Sequence, residues 1–330
     1  MHIIRHYTGV PKAAQDAVVA IGNFDGVHLG HQRVIGEAGR IVVDLAAPHG
    51  VLTFEPHPRR FFRPEEPEFE LTPLQSKVRH IGAAGVDVLF VMHFDRGFSE
   101  KTAERFVAEI LVDGIKARHL VVGYDFVFGN RRAGDIELLQ RLAADAGIGI
   151  MVVEAVQDAD GKPYSSSVIR TYLAEGKPGP AAKLLGRCWE IEGHVQVGDR
   201  RGREIGFPTA NVDPTEYLEP ALGVYAVWAG IETGSETVWH RAVANIGRRP
   251  TFGGDGIVVE VYIFDFAGDL YGQILRVALV EFLRPEMKFD GVAAIRDQIA
   301  RDCEQARSII DAIPEGDFRG PPCPAPATAA

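Results

Sequence analysis

The spacing of hydrophobic positions changes part-way along the chain. Over residues 17–154, short apolar runs at 17–22, 51–54, 86–92, 120–123 and 148–154 alternate with stretches near 30–46, 74–84, 101–112 and 135–146. In the latter the apolar positions recur at helical spacing. Strands separated by helices predict βαβ units and a mainly parallel sheet, an α/β fold. The Ser165-Ser166-Ser167 cluster predicts one more helix start, since a hydroxyl there can accept from the free N–H groups of a first turn. Ile169, Tyr172 and Leu173 carry that helix to Gly176. Lys177-Pro178-Gly179-Pro180 then breaks the pattern, a further helical turn covers 181–185, and a domain boundary falls near Gly186-Arg187.

Beyond that boundary the period is two. Residues 190–197, 223–229, 238–244, 257–264 and 274–282 alternate or are β-branched, with Gly, Pro and Asp between them, which predicts a small all-β barrel. Val292, Ile295, Ile299, Ala306, Ile309 and Ile310 space out a closing C-terminal helix over 291–313. The remainder is rich in Pro, Gly and Ala and is expected to be disordered. The expected division is therefore 1–186, 187–313 and a tail at 314–330.

Composition narrows the partners. A length of 330 residues suits two domains, and 46% hydrophobic content suffices for a core in each. A formal charge of -10 with no long basic run argues against nucleic acid or an anionic membrane surface as partner. The longest apolar run, 86–94, is interrupted by Asp87 and His93 and falls far short of the ~20 residues of a membrane span. The start of the chain lacks the basic-then-apolar layout of a signal peptide, and Cys188, Cys303 and Cys323 are odd in number with no metal-ligand spacing. The expectation is a cytoplasmic protein, monomer or homo-oligomer, acting on small molecules.

Two segments carry candidate chemistry. The first, Gly22-Asn23-Phe24-Asp25-Gly26-Val27-His28-Leu29-Gly30-His31, falls where the first strand hands over to a helix. In a parallel sheet, ligands bind outside the carboxyl ends of strands, and a helix N-terminus there offers N–H groups and a positive dipole end to a phosphate. His28 and His31, three apart, would face one way, and Gly26 and Gly30 would let a polyphosphate approach the backbone. Imidazoles donating to an α-phosphate could stabilise charge as pyrophosphate leaves, without a covalent intermediate. A surface histidine pair and a metal site are the alternative readings of the residues alone.

The second segment, Gly193 to Arg203 running into Glu204-Ile205-Gly206-Phe207-Pro208-Thr209-Ala210-Asn211, has glycines at 198, 202 and 206 that could wrap phosphates in backbone N–H groups. On an extended strand Thr209 and Asn211 share a side, and their neutral oxygens suit Mg²⁺ already bridged by ATP phosphates, although such a tetrapeptide is usually a loop. Glu260 shares a strand face with Val258, Tyr262 and Phe264, so its carboxylate is either hydrogen-bonded structure or a working base.

The first segment, with Thr53-Phe54-Glu55-Pro56-His57-Pro58, Gly123-Tyr124-Asp125-Phe126-Val127-Phe128-Gly129 and Ser165-Ser166-Ser167-Val168-Ile169-Arg170 following in order, resembles the HxGH nucleotidylyltransferases. In detail it resembles the adenylyltransferase half of the bacterial bifunctional riboflavin kinase/FAD synthetases, with Tyr164 and Ser167 standing where Ile and Thr are commoner. The second half resembles riboflavin kinase through Gly223-Val224-Tyr225-Ala226, 245–252, 265–272 and Leu283-Arg284-Pro285-Glu286-Met287-Lys288-Phe289, with Tyr262 where His is common. The resemblance implies a Rossmann-like domain followed by a riboflavin-kinase-type barrel. It implies that Asn23, Phe24, Asp25, Gly26, His28, Gly30, His31, Asp125, Ser165, Ser166 and Arg170 line ATP and FMN sites. In the barrel it implies Gly202, Gly206, Phe207, Pro208, Thr209 and Asn211 at Mg–ATP, Glu260 as base on the ribityl hydroxyl, and Arg284 near the flavin. Riboflavin, FMN and ATP would be the substrates.

Overall fold

In the computed structural model, residues 1–157, 161, 163–197, 202, 205–234, 236–251 and 254–313 are described, so Gly198 and the 314–330 tail lie outside them. By contacts the chain forms two compact units, Met1–Pro67 with Thr72–Tyr164, and Glu68–Leu71 with Ser165–Ala330.

The first unit is a six-stranded parallel sheet of β1 (His2–Ile4), β2 (Val18–Ile21), β3 (His49–Glu55), β4 (Val88–His93), β5 (His119–Gly123) and β6 (Gly149–Val153), ordered β1-β4-β3-β2-β5-β6. β1 is too short to show a period and was not foreseen. Every residue of β2 is buried, as helices on both faces require. Helix α1 (Leu29–Leu45) packs Val34, Ile35 and Ala38 on one face with Val18, Ala20 and Val51. On the other face, Val19, Ile21 and Leu52 meet Phe106, Ile110 and Leu111 of the π-helical stretch Phe106–Val112, and Leu139 and Ala143 of the helix Ile136–Asp145. Helix α2 (Pro58–Phe62) follows β3, and helix α3 (Leu74–Gly82) precedes β4.

In the second unit, the helices Ser166–Ala174 and Pro178–Leu185 precede a closed antiparallel barrel. Its strands are β7 (Trp189–Gln196), β8 (Ala210–Val212), β9 (Gly223–Thr233), β10 (Glu236–Thr251), β11 (Gly254–Ile263) and β12 (Ile274–Arg284), ordered β10-β11-β8-β7-β12-β9. β10 runs through Gly247 and Pro250, which read as breakers in sequence, because β11 continues its ladder to Thr251 after pairing with β9 ends at Ile246. The C-terminal helix Val292–Asp311 lays Cys303, Ala306 and Ile310 on the outside of the barrel against Val224, Ala226, Val243 and Phe264. Residues 68–71 belong to this unit by hydrogen bonding: Trp189 Nε1 donates to Leu71 O at 2.8 Å and Leu218 N to Glu70 O at 2.8 Å.

Candidate functional site

In the α/β unit the strand order reverses between β2 and β5, which makes the carboxyl ends of that pair a topological switch point. The Gly22–His31 segment leaves β2 there, and the Gly123–Gly129 segment leaves the adjacent β5, with Asp125 exposed on its turn. His28 is the N-cap of α1: its Nδ1 accepts from His31 N at 3.3 Å. The two imidazoles stack with centroids 3.6 Å apart, and Phe24 meets His31 edge-on at 5.4 Å. A Cβ at Gly30 would come within 3.0 Å of the His28 ring and crowd it, so the glycine between the histidines leaves room for the stack. Asn23 is exposed and its carbonyl accepts from Thr53 Oγ1 at 3.1 Å, tying the loop to β3.

Phe24 and Asp25 are turned inward, at 1% and 2% exposure. Asp25 Oδ1 accepts from Thr72 N at 3.0 Å, and Gly26 N donates to Thr72 Oγ1 at 2.8 Å. The anchor, Thr72, lies 47 residues from Asp25 and carries no sequence signal that would link them.

Ser165, Ser166 and Arg170 open the second unit. Ser165 Oγ accepts from Val168 N at 3.3 Å, so the hydroxyl cluster does start a helix. Arg170 Nε donates to Phe69 O at 2.8 Å, and its guanidinium lies 5.3 Å from the Phe69 ring centroid.

In the barrel, register assembles what the sequence leaves scattered. Asn211 on β8 is paired with Glu260 on β11, Glu260 with Asn245 on β10, and Asn211 with Gln196 on β7. Directly opposed residues put their side chains on one face of a sheet. A row of Gln196, Asn211, Glu260 and Asn245 therefore crosses four strands. Val259 and Val261, fully buried, fill the barrel interior, whereas half-buried Glu260 is on the outer face. The Asn211 Oδ1 atom is buried with no hydrogen-bond partner, in a residue that is only 8% exposed. Asn245 was not foreseen as part of this row, because only the pairing of strands places it beside Glu260.

Thr209 directly precedes β8. Upstream, Phe207 N donates to Gly202 O at 2.7 Å, and a Cβ at Gly202 would lie 2.3 Å from Phe207 O, so only glycine fits. Gly206 is left-handed (φ 91°), and past it the Phe207 ring packs edge-on at 5.3 Å against Tyr262, with Pro208 leading to Thr209. Arg284 is held by the buried Asp302 of the C-terminal helix, Nη2 to Oδ2 at 2.7 Å, and lies 5.8 Å from the Phe289 ring. Among the described residues no cluster of three His, Cys, Asp or Glu could hold a metal ion by itself.

A histidine-capped loop at the switch point of a parallel sheet, followed in one chain by a barrel carrying a carboxylate between two amides, defines a two-module transferase acting on phosphates. A family model described as FAD synthetase matches residues 10–168, and one described as riboflavin kinase matches 185–310. The bifunctional riboflavin kinase/FMN adenylyltransferase of Haemophilus influenzae is 36% identical over 312 residues, 94% of this chain and 100% of that protein. Its counterpart in Escherichia coli K12 is 38% identical over 314 residues, covering 94% and 98%. This chain belongs to the bifunctional riboflavin kinase/FMN adenylyltransferase family. A solved structure named as a macrolide-efflux protein of Streptococcus pneumoniae superimposes with a TM-score of 0.81 at 32% identity, over 93% of this chain and 99% of that one. Among the described residues of this chain, no helix is long and apolar enough to cross a membrane.

Proposed function

We propose that the two sites work in series on one flavin, with the barrel supplying the substrate of the α/β unit. As riboflavin kinase, the protein transfers a phosphoryl group from ATP to riboflavin, giving FMN; as FMN adenylyltransferase it transfers AMP from ATP to FMN, giving FAD and pyrophosphate. The kinase module is assigned to 187–313 and the adenylyltransferase module to 1–186, with 314–330 as a tail.

The observation that carries the kinase assignment is the pairing of Glu260 with Asn211 and Asn245. Glu260 takes the proton of the ribityl 5′-hydroxyl as that oxygen attacks the γ-phosphorus and ADP leaves, a general-base effect of typically ~10²–10⁴-fold. The orphaned Asn211 Oδ1 fits a cation, and with the Thr209 hydroxyl it would hold Mg²⁺. That metal, when bound, neutralises phosphate charge. Gly202, Gly206, Phe207 and Pro208 shape the loop beside them, and Arg284 fixes the segment that reaches the flavin.

In the α/β unit an oxygen of the FMN phosphate attacks the α-phosphorus of ATP. His28 and His31 donate to the charge that builds there as pyrophosphate departs, and the N-terminus of α1 supports them. Asn23, Gly26, Gly30 and Asp125 border this site; Phe24 and Asp25 hold its loop. Ser165, Ser166 and Arg170 are assigned to ATP and FMN binding, and the Arg170 guanidinium is well matched to the leaving phosphates. The enzyme is read as cytoplasmic, a monomer or homo-oligomer, and the net charge of -10 supports the absence of nucleic-acid and anionic-membrane partners.

The test follows FMN and FAD by chromatography with riboflavin, ATP and Mg²⁺. Glu260→Gln is expected to abolish FMN formation and leave FMN-to-FAD conversion intact. His28→Ala with His31→Ala should accumulate FMN. If either variant, still folded, loses both activities, this division of labour is wrong.

A further inference from the structure

We propose that Thr72 is a positioning residue for adenylyl transfer, holding the histidine loop in a strained shape that it would otherwise leave. The proposal rests on the assignment of His28 and His31 to that reaction. In the loop between β2 and α1, Phe24 (φ 51°), Gly26 (φ 84°) and Val27 (φ 40°) are all left-handed. For glycine this is easy, but for a phenylalanine and a β-branched valine it is unfavourable, and such backbone persists only where its surroundings over-determine it.

The surroundings are specific. The side chains of Phe24 and Val27 are 1% exposed, buried with Ala20, Val34 and Ile35. Between them the backbone is pinned by Thr72, itself 3% exposed. Its N–H donates to Asp25 Oδ1 at 3.0 Å, its hydroxyl donates to the same oxygen at 3.4 Å, and the hydroxyl oxygen accepts from Gly26 N at 2.8 Å. Gln32 Nε2 closes the far side by donating to Val27 O at 2.9 Å. The next residue is His28, whose ring caps α1 and stacks on His31.

Loss of the Thr72 hydroxyl removes a hydrogen bond from the buried Gly26 N–H and another from Asp25 Oδ1 within the strained loop, and bonds lost between buried groups are costly. With Thr72 no longer holding the Asp25–Gly26 peptide, the loop could relax away from the left-handed Val27 by giving up the Val27 N–H to Phe24 O bond of 3.1 Å, and that shift would carry His28 with it. Transition-state contacts are sensitive to such shifts, a misplacement of about 1 Å costing on the order of 10²-fold. The effect should fall on kcat, since the imidazoles act where charge develops rather than where ATP is first bound.

The experiment compares wild type, Thr72→Val and Thr72→Ser in FMN-to-FAD conversion, with riboflavin-to-FMN conversion in the same samples as internal control. Thr72→Val is expected to lower kcat for FAD formation by about 10–100-fold, with a smaller change in KM for ATP. Thr72→Ser, which keeps the oxygen, should stay within about threefold of wild type, and kinase turnover should be unchanged in both. A Thr72→Val enzyme with wild-type kcat, or one that melts lower yet turns over normally, overturns the proposal, as does failure of serine to rescue. If Thr72→Val does not fold, Thr72→Ala removes the same acceptor without added bulk, and the comparison with serine stands. Wild type that forms no FAD from FMN, or full FAD formation by His28→Ala with His31→Ala, would instead refute the site assignment beneath it.

Discussion

Replacing Asp302 by alanine should destabilise the barrel unit far more than removing Asp311 or Asp265, two other carboxylates among the described residues that tie the C-terminal helix to it. Asp302 is 3% exposed and takes Arg284 in a two-pronged grip, Nε to Oδ1 at 3.0 Å and Nη2 to Oδ2 at 2.7 Å, with Gln298 Nε2 on Oδ1 at 2.8 Å. The Arg284 side chain is only 16% exposed, so Asp302→Ala leaves a largely buried guanidinium without its counter-charge. Breaking such a pair from one side costs ~3–5 kcal/mol. Arg241–Asp311 and Arg307–Asp265 bridge the same helix to the barrel with side chains 40%/54% and 35%/71% exposed. Pairs of that kind contribute ~0–1 kcal/mol each. All three tryptophans of the chain, Trp189, Trp228 and Trp239, are in the barrel unit, so urea unfolding followed by tryptophan fluorescence reports on that unit alone. In heat the loss corresponds to a melting point lower by ~6–20 °C, taking ~2–4 °C per kcal/mol. A midpoint for Asp302→Ala no lower than that of Asp311→Ala would refute the claim that burial, rather than mere pairing, sets the strength of this link.

Three further outcomes are expected. Lys77 of α3 is fully buried with its ammonium 2.6 Å from Glu55 at the end of β3, so Lys77→Met should cost ~3–5 kcal/mol and Lys77→Met with Glu55→Gln should recover much of it. Circular dichroism resolves this, as the transition that tryptophan fluorescence does not see. Burial pushes the Cys303 thiol up to about 11 and the Tyr225 phenol up in the same direction, so the folded barrel holds both protons more tightly than the unfolded chain does. The contribution is complete below pH 9.0 and is lost as pH rises towards 11, so the fluorescence-detected urea midpoint should fall across that window. A flat midpoint would show that the two groups are not protected by the fold. Likewise, Cys303 in the native protein at neutral pH should resist alkylation that proceeds readily once it is unfolded.

The sequence determined the two architectures and the local chemistry. Strands alternating with helical spacing led to a parallel sheet, and period-two runs with turn residues led to a barrel, because burial on two faces or one imposes those periods directly. The short segments around His28, Thr209 and Glu260 were legible because loop glycines, a helix start and an out-of-place carboxylate are local features. Tertiary structure alone decided the rest. Strand register set Asn245 and Asn211 on either side of Glu260, from positions 15 and 49 residues away in the chain by subtraction of their numbers. Folding brought Thr72 to Asp25 and Asp302 to Arg284, giving two of the expected site residues partners from distant parts of the chain. Such pairings depend on which faces meet once both are buried, and a periodicity carries no information about the partner across the gap.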